Sequence, residues 1–264
     1  MRQTEFDIDG GRFRAYSSIA PRTGGSHFDA DLPVVLIHGI GMSQRYFVRL
    51  HDEFARTRDV HSIDLPGFGR FGRPREPFEQ ERMARALAEV LVQLNVPRAV
   101  LVGHSMGAQW VVELARQRPD LAAGVVLIGP VADDEHRTLR AQSVALALDT
   151  LGELPLVNSI VFADYIRCGM PWYLTQLRHM MAYPTEERVA ELSAPVLVLR
   201  GGNDPVAGLE WCRRLRDRAR DGSLVNVPGH RHVVQFAGAR AVASAIDAFL
   251  AQNHRVDRER EPTI

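Results

Sequence analysis

The sequence predicts an α/β fold in which helices cover a doubly wound, mostly parallel sheet. Beyond residue 32, short apolar runs alternate with segments of helical periodicity, which is the pattern of repeated strand–helix units. Loops with glycine and polar residues follow several of these runs, as is typical where strands end. The expected strands cover residues 34–37, 60–63, 100–102, 125–128, 196–199 and 224–227.

Further structure is predicted near both ends of the chain, and two internal segments show clear helical periodicity. Residues 4–9 and 12–18 alternate in polarity on either side of Gly10-Gly11, which predicts an antiparallel hairpin. Helical patterns are clearest at residues 78–94 and 107–118. The densely charged residues 253–264 predict a solvated or frayed terminus.

The alternation of strands and helices is interrupted once, after the strand at residues 125–128. No strand pattern is convincing before residue 196, and helical patterns cover residues 137–151, 159–168, 171–181 and 186–192 instead. We therefore expect a core domain formed by residues 1–130 and 194–264. A helical cap at residues 131–193 is expected as an insertion after the sixth strand.

The composition is that of an ordinary folded domain and argues against several classes of partner. The chain has 264 residues, a hydrophobic fraction of 45%, a charged fraction of 24% and a formal net charge of +0. This balance gives no electrostatic basis for binding nucleic acid or a membrane. Neither a signal segment nor an apolar run of about 18 residues is evident, and the two cysteines lack CxxC spacing. We expect a cytoplasmic protein with a small-molecule partner, as a monomer or a homodimer.

The most informative motif is Gly103-His104-Ser105-Met106-Gly107. It lies directly between an expected strand and an expected helix, which places the serine on a tight strand-to-helix turn. Such a turn projects the hydroxyl away from the sheet. Glycines are needed on both sides because larger side chains would collide with neighbouring backbone. Ser105 is therefore the candidate nucleophile.

A candidate acid and a candidate base follow two later strands. Asp204 comes after the strand at residues 196–199 and His232 after the strand at 224–227, and the carboxyl ends of parallel strands form one ligand-binding edge. A serine hydroxyl needs a base to take its proton, and histidine titrates near neutral pH. An aspartate holds the imidazole in the required tautomer.

Two of these assignments leave alternatives open. His230 stands two residues before His232 and could be the base instead. Asp133 or Asp134, after the strand at residues 125–128, could replace Asp204 as the acid. The pair of histidines could also bind a metal ion, although no third ligand stands at a suggestive spacing.

Five segments together resemble the α/β-hydrolase superfamily. They are His38-Gly39-Ile40-Gly41, Asp64-Leu65-Pro66-Gly67-Phe68-Gly69, Gly103-His104-Ser105-Met106-Gly107, Gly202-Asn203-Asp204-Pro205 and Pro228-Gly229-His230-Arg231-His232. The resemblance implies an α/β-hydrolase fold with a triad of Ser105, Asp204 and His232. It also implies an oxyanion hole formed by the backbone N–H groups of Ile40 and Met106, with no metal or other cofactor. The family's histidine segment usually reads Pro-Gly-x-Gly-His, and Pro228-Gly229-His230-Arg231-His232 departs from this pattern.

The resemblance further implies a serine hydrolase that works through an acyl-enzyme on Ser105. The expected substrate is a small-to-medium, mainly apolar carboxylic ester, lactone or thioester. One alternative is hydrolysis of a carbon–carbon bond in a diketone-like substrate by the same triad, for which Arg167 is the plausible cap contributor. The other alternative is a non-catalytic ligand-binding protein on the same scaffold.

The substrate pocket is expected between the core and the cap. The cap sequence is largely apolar, which predicts an apolar pocket of medium size. The residues assigned to this pocket are His38, Phe162, Tyr165, Trp172 and Tyr173.

Overall fold

A computed structural model describes residues 1–20, 32–69, 71–135 and 155–260. The strands within these residues form one eight-stranded sheet. They are β1 (Arg2–Ile8), β2 (Gly11–Ser18), β3 (Val34–Ile37), β4 (Val60–Asp64), β5 (Ala99–His104), β6 (Ala122–Ile128), β7 (Val196–Gly201) and β8 (Gly222–Val227). Their spatial order is β1-β2-β4-β3-β5-β6-β7-β8.

The sheet is mostly parallel, as predicted. Strands β1 and β2 form an antiparallel hairpin, β2 pairs antiparallel with β4, and all other neighbours are parallel. The hairpin turns at Asp9 and Gly10, which both have positive φ angles, of 49° and 73°. Positive φ at both central residues matches the twist of the flanking strands.

Helices lie on both faces of the sheet and above its carboxyl edge. Their bounds are α1 (Val48–Phe54), α2 (Gln80–Gln93), α3 (Met106–Gln117), α4 (Pro155–Cys168), α5 (Met170–Ala182), α6 (Thr185–Ala190), α7 (Leu209–Arg218), α8 (Val234–Ala237) and α9 (Ala239–Arg260). Short 3-10 helices cover Gln44–Phe47 and Pro119–Leu121.

Two hydrophobic cores follow from the alternation of side chains along each strand. In β3, Val35 and Ile37 join the core with α2, α3 and α7, whereas Val34 and Leu36 join the core with α1 and α9. All four side chains are fully buried. Burial on both faces explains why this strand is an uninterrupted apolar run in the sequence.

The described residues between β6 and β7 form helices and loops but no strand. They contain α4, α5 and α6, close to three of the four expected helices. The fourth, expected at residues 137–151, lies outside the described residues. The division into a core domain at residues 1–130 and 194–264 and a cap at 131–193 stays a prediction.

Most of the charged end of the chain is helical rather than frayed, and its exposure to solvent stays a prediction. Helix α9 continues to Arg260, through most of the residues expected to be frayed. Arginine and glutamate have high intrinsic helix propensity, so a charged segment can extend a helix that is already formed. Nowhere in the part of the chain that the structure describes is a helix both long and apolar enough to cross a membrane.

Trp211 connects α7 to the loop after β6. Its side chain is fully buried, and its indole N–H donates to the carbonyl of Pro130 at 3.0 Å. Trp110 on α3 is buried to the same extent, but its indole N–H has no hydrogen-bond partner among the described residues. The two tryptophans therefore differ in one hydrogen bond.

We expect Trp211→Phe to lower the free energy of unfolding by about 1–3 kcal/mol more than Trp110→Phe. Both variants lose ring volume in the interior, but only the first removes a buried hydrogen bond. Urea denaturation followed by far-UV circular dichroism measures the difference. Equal losses in the two variants would show that the contact to Pro130 contributes nothing.

Candidate active site

Ser105 occupies a strained turn between β5 and α3. Its φ and ψ angles are 57° and −123°, a conformation that costs a side-chain-bearing residue roughly 1–3 kcal/mol. A Cβ at Gly103 would collide with the carbonyl of Gly107, and a Cβ at Gly107 would collide with the carbonyl of Ile37. The Ser105 N–H donates to the Ile128 carbonyl at 2.9 Å, which fixes the turn to β6. The two glycines of the motif are therefore required by close backbone contact.

Asp204 and His232 meet at the carboxyl edge of the sheet. The Nδ1 atom of His232 lies 2.9 Å from Oδ2 of Asp204, and both side chains are buried. The other carboxylate oxygen accepts the N–H groups of Val206 at 2.8 Å and Ala207 at 3.0 Å. Because a carboxylate only accepts, Nδ1 carries a proton, and Nε2 is the nitrogen that can take up a proton when the ring is neutral.

The electrostatic surroundings keep Asp204 ionised. Burial by itself raises the pKa of this carboxyl group, but the charge interaction and hydrogen bond with His232 lower it, as do the two amide hydrogen bonds. The net result is a pKa below the ordinary value. The carboxylate is therefore charged at neutral pH and can stabilise a protonated imidazole.

Arg200 supports the Asp204 loop, a contact that sequence reasoning missed. It is a buried arginine on β7 whose guanidinium donates to the carbonyl of Asp204 at 2.9 Å and to that of Ala207 at 2.7 Å. It also donates to the side chain of Asn226 at 2.9 Å. An arginine within an otherwise apolar strand is the signal that could have identified it.

Gly129 allows the histidine to lie against the end of β6. Its φ angle is 54°, and a Cβ there would lie 3.0 Å from the imidazole of His232 and 3.4 Å from Oδ2 of Asp204. This glycine directly follows Ile128, which accepts the Ser105 N–H. The three predicted triad residues thus follow β5, β7 and β8 at one edge of the sheet, with β6 between β5 and β7.

The alternative acid and base lie elsewhere. Through its backbone carbonyl, His230 accepts the N–H of Asn203 at 2.8 Å, and its ring lies beside Gly238. Asp133 and Asp134 form ion pairs with Arg214, in the second case at 2.7 Å. The acid in contact with His232 is Asp204. Among the described residues, no group of three or more His, Cys, Asp or Glu side chains could hold a metal ion.

The loop after β3 passes directly beside the serine. A Cβ at Gly39 would lie 2.9 Å from the Cβ of Ser105, so only glycine fits at this position. Ile40 is the next residue, and Met106 is the first residue of α3, where backbone N–H groups have no acceptor within the helix. Their assignment as oxyanion-hole donors stays a prediction.

His38 stabilises this loop through hydrogen bonds between its ring and the backbone. Its ring is fully buried, with Nδ1 2.8 Å from the carbonyl of Gly39, while Nε2 accepts the N–H of Leu65 at 3.2 Å. Burial lowers the pKa of His38 to about 4, so the ring is neutral at neutral pH. Because both ring nitrogens are engaged by the backbone, His38 is not available to a substrate as a polar pocket residue.

The four cap residues assigned to the pocket have different surroundings. Trp172 is buried, and its ring centroid lies 6.3 Å from that of Phe68. A Cβ at Gly67 would lie 2.5 Å from the indole of Trp172. Tyr173 is partly buried against the hydrophobic core that includes side chains of α2, α3 and α7. Phe162, however, is 68% exposed to solvent. The side chain of Tyr165 lies outside the described residues.

The helical period explains the position of Phe162. Asp164, two residues later on α4, points about 200° away around the helix and is fully buried. Its carboxylate accepts a hydrogen bond from Ser43 at 2.6 Å and pairs with Arg45 at 3.3 Å and Arg167 at 3.0 Å. Sequence reasoning missed this contact between α4 and the loop after β3, although a lone acid in an apolar helix is a usable signal.

The comparison with known proteins gives the family. A sequence profile of the Alpha/beta hydrolase family matches residues 34–245. The chain belongs to this family. The prediction made from the five sequence segments, and the α/β-hydrolase fold that it implied, are therefore confirmed.

Individual relatives agree with this family assignment. An uncharacterized hydrolase, YugF of Bacillus subtilis, is 34% identical over 246 residues, covering 82% of this chain and 89% of the relative. The (E)-2-((N-methylformamido)methylene)succinate hydrolase of Acinetobacter baylyi is 25% identical over 236 residues, covering 83% of this chain and 90% of that protein. The enol-lactonase from Burkholderia xenovorans superposes with a TM-score of 0.78 at 18% identity, over 94% of this chain and 100% of its own, and shows the shared fold.

Buried neutral histidines give this hydrolase fold a specific acid sensitivity. Burial lowers the pKa of His104 to about 3, with a further contribution from His232, and burial lowers that of His38 to about 4. In the unfolded chain both groups titrate near 6.5. As pH falls from 6.5 towards 4, the unfolded chain therefore takes up protons that the folded chain refuses, and stability falls.

We expect each of these histidines to contribute up to about 1.4 kcal/mol per pH unit to this loss. Urea denaturation at pH 7, 6, 5 and 4 measures the slope. His38→Gln removes one of the two groups and should reduce the slope by about that amount. An identical slope in this variant would mean that His38 is protonated in the folded protein.

Proposed function

We propose that the chain is a serine hydrolase that cleaves a small-to-medium, mainly apolar carboxylic ester, lactone or thioester through an acyl-enzyme on Ser105. The observation that carries the proposal is the 2.9 Å hydrogen bond between Asp204 and His232 beside the strained Ser105 turn. Membership of the alpha/beta hydrolase family supports it. Nucleophile, base and acid each follow a different strand, β5, β8 and β7, at one edge of the sheet.

The first half of the proposed reaction forms the acyl-enzyme. Nε2 of His232 takes the proton of the Ser105 hydroxyl while the oxygen attacks the substrate carbonyl carbon. The carbonyl π electrons move onto oxygen, where the N–H groups of Ile40 and Met106 stabilise the charge by about 3 kcal/mol each. Collapse of this intermediate breaks the bond to the leaving oxygen or sulfur, which takes the proton from His232.

The second half releases the acid. A water molecule gives a proton to His232 as its oxygen attacks the acyl carbon, and the Ser105 oxygen leaves and recovers that proton. Asp204 stays ionised throughout and stabilises the imidazolium in both halves. An ester yields a carboxylic acid and an alcohol, whereas a lactone yields a single hydroxy acid.

The aromatic surroundings favour an apolar acyl group. Phe68 lies 6.1 Å from Trp110 and 6.3 Å from Trp172, measured between ring centroids, and 5.4 Å from His38 in the loop beside Ser105. The cap arginine that would favour carbon–carbon bond hydrolysis, Arg167, already pairs with Asp164. We therefore prefer ester-type cleavage, and we include a lactone among the first test substrates because the Burkholderia neighbour is an enol-lactonase.

The test is a set of initial rates on p-nitrophenyl esters from acetyl to dodecanoyl, with a lactone and an acyl thioester included. We expect turnover with an optimum at intermediate chain length. Ser105→Ala should lower kcat by at least about a thousandfold, because the nucleophile is lost. Turnover that survives this substitution would contradict the proposed mechanism.

The two neighbouring histidines provide a matched pair of variants in the same assay. His232→Gln should lower kcat/KM by about a thousandfold or more, because the base is removed. His230→Gln should stay within about threefold of the wild-type chain, because its ring does not contact Asp204. Equal losses in the two variants would show that the assay reports general damage to this loop.

If the wild-type chain turns over none of these substrates, the non-catalytic alternative is favoured.

A further inference from the structure

A chain of hydrogen bonds links the loop beside Ser105 to the loop that carries His232. The N–H of Gly39 donates to the hydroxyl of Tyr46 at 2.6 Å. The same hydroxyl lies 2.8 Å from Nδ1 of His104, whose Nε2 lies 2.9 Å from the backbone carbonyl of His232. Tyr46, His104 and His232 are all buried.

The chemistry of these groups allows only one arrangement of protons. A carbonyl only accepts, so Nε2 of His104 carries a proton and donates to His232. Burial keeps His104 neutral, so its Nδ1 is an acceptor and the Tyr46 hydroxyl donates to it. The Tyr46 oxygen in turn accepts from Gly39. The chain is therefore directional from the loop after β3 to the loop after β8.

We propose that Tyr46 and His104 are positioning residues that hold the Ile40 N–H and the His232 imidazole in their places around Ser105. This inference rests on the proposed function. Gly39 directly precedes Ile40, so fixing its N–H fixes the peptide plane next to the proposed oxyanion donor. His104 directly precedes Ser105 and fixes the backbone of His232.

Packing alone does not require these polar groups. The rings of Tyr46 and His104 lie 5.2 Å apart, and those of His104 and His232 lie 4.7 Å apart. Tyr46 and its neighbour Phe47 belong to the hydrophobic core that α1 and α9 form against the sheet. Apolar side chains would fill the same volume without the cost of burying polar atoms. A buried polar chain in which each member has its partner instead fixes one geometry.

The kinetic test is Tyr46→Phe, which keeps the ring and removes the hydroxyl. We expect kcat to fall about 10- to 100-fold, within the range for a misplaced oxyanion donor, with KM within about threefold of the wild-type value. A trifluoromethyl ketone inhibitor should weaken by the same factor as kcat/KM, because it forms an oxyanion when Ser105 attacks it. The corresponding unreactive alcohol should bind within about twofold of wild type.

Tyr183→Phe is the matched control. Tyr183 is also a buried tyrosine, but its hydroxyl donates to Glu113 at 2.8 Å, on α3 beyond the serine turn. The kcat of the Tyr183→Phe variant should stay within about twofold of the wild-type value. The proposal is overturned if Tyr46→Phe retains wild-type kcat, or if it weakens the ketone and the alcohol equally.

A second variant keeps the proposal testable if Tyr46→Phe does not fold. His104→Asn places an amide oxygen near the position of Nδ1 but cannot reach the carbonyl of His232. It should lower kcat about tenfold or more while KM stays within about threefold, and wild-type kcat in this variant would overturn the proposal.

Failure of the proposed function is distinguishable from failure of this inference. If wild-type turnover does not depend on Ser105, both fall together. If turnover depends on Ser105 and Tyr46→Phe is unaffected, only the positioning role is contradicted.

Nitrogen-15 NMR of the histidine rings adds a measurement that does not need turnover. In it, His104 should keep its Nε2–H tautomer from pH 5 to 8. A titration of His104 near pH 6.5 would overturn the directional chain itself.

Discussion

The strained backbone of Ser105 is the constraint on which the rest of the site depends. At a φ angle of 57°, the serine leaves β5 and enters α3 within one residue, and this turn needs glycine at both 103 and 107. The loop after β3 lies so close to Ser105 that its nearest residue cannot carry a side chain, and this residue is Gly39. A conformation of this kind persists only when the surrounding structure determines it, here through two cores and the bond to β6.

The edge of the sheet above this turn is built from buried polar groups that hold one another in place. Asp204 is fixed by His232, by two backbone N–H groups and, through its loop, by Arg200. Asp164 contributes a carboxylate from α4 to the loop after β3 through Ser43. Buried polar groups with satisfied hydrogen bonds specify a geometry better than apolar packing does. Hydrogen bonds therefore hold the groups for which chemistry is proposed, and aromatic rings lie where the acyl group is proposed to bind.

The fold and the three triad candidates could be predicted because their signals are local in the sequence. Each strand is a short apolar run, and Ser105, Asp204 and His232 each follow one at a short distance. The supporting contacts could not be predicted in this way. Tyr46 reaches His104 across 58 positions and Ser43 reaches Asp164 across 121, so only the folded chain shows them. Phe162 is exposed although its helix is largely apolar, because an apolar helix pattern does not reveal which face is buried.

In the proposed mechanism, Ser105 is a nucleophile activated by His232 and Asp204. Mass spectrometry after reaction with an alkyl fluorophosphonate tests it most directly, because covalent labelling needs the activated serine but no knowledge of the natural substrate. We expect one adduct per chain, on the peptide that contains Ser105, and labelling slowed by a factor of about 10³–10⁴ in Asp204→Asn, where the imidazole tautomer is lost. An adduct on another serine, or no adduct at all, would contradict it.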